Sequence, residues 1–244
     1  MTNIAFLHGG GQGGWVWQAT IAELHRLTGG KFGRALALDI SGCGQKRNKD
    51  TTDLTFSAII DELMADLDNA GMTDMVLVGH SQAGTVLPHL AERRPALFRR
   101  LVYVACSIPL PGQNVIEMVG DRLHGDDEDK VEWPVAPKTT DIRERTEIMF
   151  CNDMDTLKTA DFMGKLGSDQ WPLASYAETN WRFKNLDAVP ATYVLCLQDN
   201  ILPVSWQEKF AGRFHAEEIL RVDAGHQVMI TQPDVLAKIL LEKL

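Results

Sequence analysis

Six short, nearly uninterrupted apolar runs set the tightest limit on what this chain can fold into. They span residues 3–7, 35–40, 75–78, 101–105, 191–197 and 219–222. A strand with one wet face alternates apolar and polar residues. A run that is apolar throughout is covered on both faces, as in a parallel sheet with helices above and below. Helical patterns fall between the runs, at 16–27, 57–67, 83–94, 206–214 and 235–244. The clearest, 57–67, puts Ile59, Ile60, Leu63, Met64 and Leu67 on one stripe with Asp61, Glu62 and Asp66 opposite, and Gly71 stops it. Strands alternating with helices predict an α/β fold, a mostly parallel sheet flanked by helices. Pro88, inside the pattern at 83–94, is expected to kink that helix.

The rhythm breaks between Ser107 and about Val189. This stretch carries Asp126-Asp127-Glu128-Asp129, Pro134, Pro137 and Pro172, together with several aromatics and methionines. A structureless loop of that length does not suit a compact domain. The expected division is a core in two parts, 1–106 and 190–244, interrupted by a mainly helical cap at 107–189.

The 244 residues are 45% apolar and 23% charged, enough for a sizeable core, and the formal net charge of −9 argues against nucleic acid and anionic membranes as partners. Cys43, Cys106, Cys151 and Cys196 form no CxxC pair and no metal-ligand spacing. No apolar stretch approaches the roughly 20 residues of a membrane span. The first residues run straight into a strand without a basic, then apolar leader. The expectation is a cytoplasmic protein, monomer or homodimer, with no metal and no cofactor.

The run at 75–78 ends in Gly79-His80-Ser81-Gln82-Ala83-Gly84 before a helical pattern begins. A strand, a tight turn presenting one serine, and a helix is the context of the G-x-S-x-G nucleophile elbow, with Ala83 in place of the second glycine. Ser81 is then the candidate nucleophile, and the Gln82 N–H, at a helix start, can face a developing negative charge. A serine needs a base. Val222-Asp223-Ala224-Gly225-His226 offers His226 on a small-residue turn after a strand. The base needs a carboxylate, and Asp199 follows the run at 191–197; Asp223 competes, but lies so close to His226 that it suits a turn. His8 reads as loop-shaping, His80 as pointing away from the exposed side of the elbow, and His25, His89, His124 and His215 as helix or cap surface.

One pattern supports a rival. Gly9, Gly11 and Gly14 spell G-x-G-x-x-G after a strand, and Asp39 ends the next strand, as in an NAD(P)-dependent oxidoreductase. Trp15 and Trp17 would crowd the pyrophosphate, and the rival leaves Ser81 and His226 without a role. In the alternative, the loop His8-Gly9-Gly10 supplies a second backbone donor beside Gln82.

Phe6-Leu7-His8-Gly9-Gly10, Gly13-Gly14-Trp15-Val16-Trp17, the elbow, Asp199 with Pro203, and Gly225-His226 together resemble the α/β-hydrolase superfamily. Within it, the chain resembles the small-esterase branch of plant methyl-ester esterases and hydroxynitrile lyases. The resemblance covers essentially the whole chain. It implies Ser81, Asp199 and His226 as a triad and Gly10 and Gln82 as oxyanion donors, with Gly9, Trp15 and His80 also at the site. It implies a helical cap, no cofactor and a small-molecule ester substrate. The lyases carry threonine and lysine where this chain has Gly9 and Gln227, which tells against cyanohydrin cleavage; a C–C hydrolase stays open as an alternative on the same fold. Trp133, Trp171, Trp181, Phe162, Met118, Met149, Met154 and Met163 supply a pocket lining or the cap's own core. The expected substrate is a small to medium, neutral, partly apolar ester.

Overall fold

A computed structural model of the chain describes residues 2–244. The apolar runs become β1 (Asn3–Leu7), β2 (Ala35–Leu38), β3 (Met75–His80), β4 (Phe98–Val104), β5 (Ala191–Cys196) and β6 (Glu218–Val222). They form one sheet in the order β2-β1-β3-β4-β5-β6, and each neighbouring pair is parallel. The edge strands β2 and β6 are partly exposed, whereas β3 and β5 are buried at every residue. This is the burial that unbroken apolar strands require.

Side chains alternate across the sheet and divide the core in two. On one face Ala5, Leu7, Leu77, Leu101, Tyr103 and Leu195 pack against α2 (Phe56–Asn69), α3 (Leu87–Arg93) and α8 (Val204–Arg213). On the other Ile4, Phe6, Val76, Val78, Val102 and Val194 meet α1 (Gln18–Thr28) and α10 (Pro233–Leu241). Between β4 and β5 the chain carries α4 (Val115–Val119), α5 (Ile142–Phe150), α6 (Thr156–Lys165) and α7 (Leu173–Ala177), and its only β-pairing is the isolated bridge of Leu123 with Trp133. The short α9 (Val228–Thr231) precedes α10. Among the described residues no helix is long and apolar enough to cross a membrane.

Two helices begin later than their patterns suggest. Residues Gly14–Trp17 form a 3-10 turn before α1, entered through Gly13 and Gly14, with Val16 and Trp17 drawn into the core. Residues Ser81–Thr85 likewise form a 3-10 turn, in which the Thr85 hydroxyl donates to the Gln82 carbonyl at 2.8 Å, and α3 starts only at Leu87. Pro88 therefore sits in the first turn of α3, where its missing N–H has no intrahelical partner to lose. The expected kink does not arise.

Candidate active site

Strand order reverses between β1 and β3, since the chain leaves β1 toward β2 on one side and continues from β3 toward β4 on the other. The loops at the carboxyl ends of these strands flank the crevice where parallel sheets hold ligands. The β1 loop contains Gly9 and Gly10, and β3 leads directly into Ser81.

Ser81 has φ +54°, the left-handed region that costs a non-glycine residue on the order of 1–3 kcal/mol. The turn is tight on its inner side. A Cβ on Gly79 would lie 2.7 Å from the Leu87 side chain and 3.0 Å from the Ala83 Cβ. Alanine at 83 fits; a larger residue would meet the β3 backbone. The Ser81 carbonyl accepts the Ser107 N–H at 3.1 Å, fastening the elbow to the strand end of β4.

His226 and Asp199 follow β6 and β5. His226 Nδ1 lies 2.6 Å from Asp199 Oδ2, and both side chains are fully buried. Asp199 Oδ1 accepts the N–H groups of Ile201 at 2.7 Å and Leu202 at 2.9 Å. With one carboxylate oxygen held by backbone donors, the other faces the imidazole, which places the ring proton on Nδ1. His226 Nε2 has no hydrogen-bond partner, Ser81 Oγ included. Asp223 is elsewhere: its Oδ1 accepts the Gln198 side-chain amide at 2.7 Å on an exposed edge.

His80 links these parts from below. Its Nε2–H donates to the His226 carbonyl at 2.9 Å, and the two rings stand 4.6 Å apart. Burial, reinforced by the neighbouring His226, holds His80 well below the ordinary histidine value and therefore neutral. A Cβ on Gly9 would sit 2.9 Å from both His80 Nδ1 and Ser81 Cβ, so only a residue without a side chain lets the β1 loop approach the elbow. A Cβ on Gly10 would fall 2.3 Å from Gln82 Oε1. Neither the Gly10 nor the Gln82 N–H is engaged by a loop carbonyl or a side chain among the described residues.

A cavity of about 270 Å³ opens in front of the elbow. Gly10, Ser81, Gln82, Ser107 and Tyr176 form its polar end, while Met118, Val131, Trp133, Met149, Phe150 and Ile201 make an apolar wall. Of the tryptophans, phenylalanine and methionines singled out in residues 107–189, Met118, Trp133 and Met149 line it. Phe162, Trp171 and Trp181 do not: the Trp171 indole N–H donates to the Gly9 carbonyl at 3.0 Å, Trp181 packs on Phe56, and Phe162 on Trp15.

Further expectations are corrected. Trp15 lies away from the cavity; its indole N–H donates to Asp169 Oδ2 at 2.9 Å, because a fully buried carboxylate there gathers Trp15, the Gly44 N–H and Arg47. His80 is buried beneath the elbow and lines no part of the cavity. His89 and His124, expected at the surface, are half-buried; His89 packs against Phe56, Trp181 and Phe183. Ser107, Glu132, Phe150, Tyr176 and Ile201 were missed, since no local pattern marks them and only the fold brings them to the cavity. The dinucleotide-like loop is occupied by its own chain. Asp39 accepts the Gly14 N–H at 2.6 Å and the Gln45 N–H at 3.0 Å, and α1 begins only after Trp15, Val16 and Trp17. No group of three or more His, Cys, Asp or Glu side chains among the described residues is arranged to hold a metal ion.

The alpha/beta hydrolase family matches residues 4–239. Methylesterase 11 of Arabidopsis thaliana, a chloroplastic protein whose name is itself provisional, is 26% identical over 253 residues, covering 98% of this chain and 63% of that one. The carbendazim hydrolyzing esterase of a Nocardioides species is 28% identical over 123 residues, covering 50% of this chain and 49% of its own. Polyneuridine aldehyde esterase of Rauvolfia serpentina is 23% identical over 261 residues, covering 98% and 94%. The chain thus spans about half to two thirds of the length of several curated relatives it matches. Among solved structures, an extracellular alpha/beta-hydrolase from a Paenibacillus species superposes with a TM-score of 0.76 at 17% identity, over 100% of this chain and 99% of that one. At such identity the superposition speaks for the fold.

Proposed function

Because the chain belongs to the alpha/beta hydrolase family, we propose that it is a carboxylic-ester hydrolase working through an acyl-enzyme. The observation that carries the reading is the His226 imidazole, held by buried Asp199 at 2.6 Å with Nε2 unpartnered, at the same sheet edge as strained, cavity-lining Ser81. The esterase names of several relatives agree with it.

In this mechanism Ser81 Oγ attacks the ester carbonyl while His226 Nε2 takes its proton. The negative charge that develops on the carbonyl oxygen is met by the Gly10 and Gln82 N–H groups. The intermediate collapses, the C–O bond breaks, and His226 returns the proton to the departing alcohol. Water then attacks the acyl-serine with His226 again as base, releasing the acid and restoring the Ser81 hydroxyl. Residues 107–189 act as a cap that supplies most of the apolar wall. The substrate is a small to medium, partly apolar ester, a scale set by a cavity of about 270 Å³. Four buried free thiols suit a reducing, cytoplasmic setting. Cyanohydrin cleavage is disfavoured by Gly9 and Gln227; the latter is fully buried and outside the cavity.

The test is intact-protein mass after exposure to a fluorophosphonate. Wild type gains one adduct, Ser81→Ala gains none, and His226→Ala is labelled far more slowly. An unlabelled wild type, or a label that persists in Ser81→Ala, overturns the assignment.

A further inference from the structure

The cavity wall beyond the elbow is apolar except at one residue. Glu132 lines it and is only 3% exposed. Its backbone has φ +65°, a strained conformation for a glutamate, and is clamped on both sides. The Val131 N–H donates to the Met118 carbonyl at 2.9 Å, the Glu132 N–H to Val119 at 2.6 Å, and the Trp133 N–H to Arg122 at 3.0 Å. The chain therefore fixes the backbone from which this side chain reaches the cavity.

One carboxylate oxygen, Oε2, accepts the Asp127 N–H at 2.9 Å; the other, Oε1, is buried with no partner. Two nearby cationic groups are engaged elsewhere. Lys130 pairs with Asp127 at 3.2 Å, and the Arg145 guanidinium lies over the Trp133 ring at 4.9 Å. His124, the nearest histidine, is kept below its ordinary value by burial and so brings no counter-charge at neutral pH. A buried carboxylate with a free oxygen is costly unless something completes it. Lys130 and Arg145 are engaged and His124 is uncharged, so Oε1 is left without a partner on a residue that lines the cavity.

We propose that Glu132 is a specificity-determining residue of this site, whose free oxygen receives a hydrogen bond from an N–H donor, above all an ammonium, carried on the apolar part of the ester. The hydrolytic consequence rests on the ester-hydrolase reading; the binding does not. Met118, Met149, Phe150 and Ile201 cover the hydrocarbon of such a substrate, and Glu132 meets its nitrogen. Against so apolar a wall, a charge-assisted N–H···O contact is strong, and a ligand carboxylate is repelled.

Two pairs of esters test this. Phenyl ω-aminohexanoate against phenyl heptanoate exchanges an ammonium for a methyl on the acyl side, and ω-aminohexyl acetate against heptyl acetate does so on the alcohol side. In at least one pair wild type prefers the ammonium ester in kcat/KM, and Glu132→Gln lowers that preference by about 10- to 100-fold. Calorimetric titration with ω-aminohexanol and heptanol reads the same difference without turnover, so it stands if Ser81 proves unreactive to the fluorophosphonate. Glu132→Gly, which accepts the left-handed backbone without strain, guards against a folding defect and loses the preference as well. An unchanged preference in both ester pairs, with unchanged amino-alcohol affinity in both variants, overturns the proposal.

Discussion

Replacing Asp199 by asparagine tests the proposed mechanism at one hydrogen. The Asp199 side chain has two fixed jobs: Oδ1 accepts N–H groups from Ile201 and Leu202, and Oδ2 faces His226 Nδ1 at 2.6 Å. An asparagine keeps its carbonyl oxygen toward the two backbone donors, so its NH₂ faces the imidazole. That forces the ring proton onto Nε2, the nitrogen that must accept the proton of Ser81. The flipped amide would restore the tautomer but lose two backbone hydrogen bonds, at about 1–1.5 kcal/mol each, and set N–H against N–H. Roughly 2–3 kcal/mol leaves the useful tautomer at about 1–3% of the population. Losing the negative charge that stabilises the imidazolium removes more, and in the chymotrypsin-type triad the same change costs about 10⁴ in kcat. Asp199→Asn is therefore expected to lower kcat/KM for a phenyl ester between about 10² and 10⁴, with little change in fold by circular dichroism. Asp223→Asn, whose carboxylate serves Gln198, stays within about twofold of wild type. An Asp199→Asn enzyme retaining a tenth of wild-type activity, or a larger loss in Asp223→Asn, would falsify the tautomer argument.

Gly9→Ala places a methyl 2.9 Å from Ser81 Cβ and His80 Nδ1, so the β1 loop must move off the elbow. Thermal unfolding should show a loss of about 1–3 kcal/mol, accompanied by a fall in kcat of at least about tenfold as Gly10 shifts with the loop. The acid limb of stability should depend on Glu62. Burial alone would raise its carboxyl, but hydrogen bonds from Lys46, Lys49 and Ser41 outweigh it and hold the group at about 2. A depressed folded-state value means stability that is present above the ordinary 4.5 and lost as pH falls toward about 2. Glu62 is partly solvated, so screening leaves about 1 kcal/mol. Urea unfolding at neutral pH and near pH 3 should show a smaller acid loss in Glu62→Gln than in wild type; equal losses would refute the assignment.

Much of this molecule was determined by local sequence. Unbroken apolar strands can only be buried on both faces, so 3–7, 75–78 and 191–197 announced a parallel sheet before any pairing was known. The elbow was legible because one serine between Gly79 and Ala83, after a strand, has few ways to turn. Sequence patterns misjudged the helix after it, because a helical stripe is blind to the 3-10 turn that the strained Ser81 imposes, and Pro88 in a first turn looks the same on paper as Pro88 in a helix interior.

Tertiary structure alone decided the rest, for a physical reason common to each case. The family resemblance put Trp15 at the site, yet a carboxylate distant in sequence, Asp169, holds its indole away from the cavity. Asp199 and Asp223 were both plausible partners for His226; which carboxylate faces the imidazole depends on where the β5 and β6 loops run in space. Glu132 carried no signal at all, since an acidic residue in an acidic loop reads as solvated until the chain folds over it. Periodicity and turn chemistry act between residues a few positions apart and are written in the sequence. Burial and the pairing of buried charges act between residues brought together only by the completed fold, so they appear only in the structure.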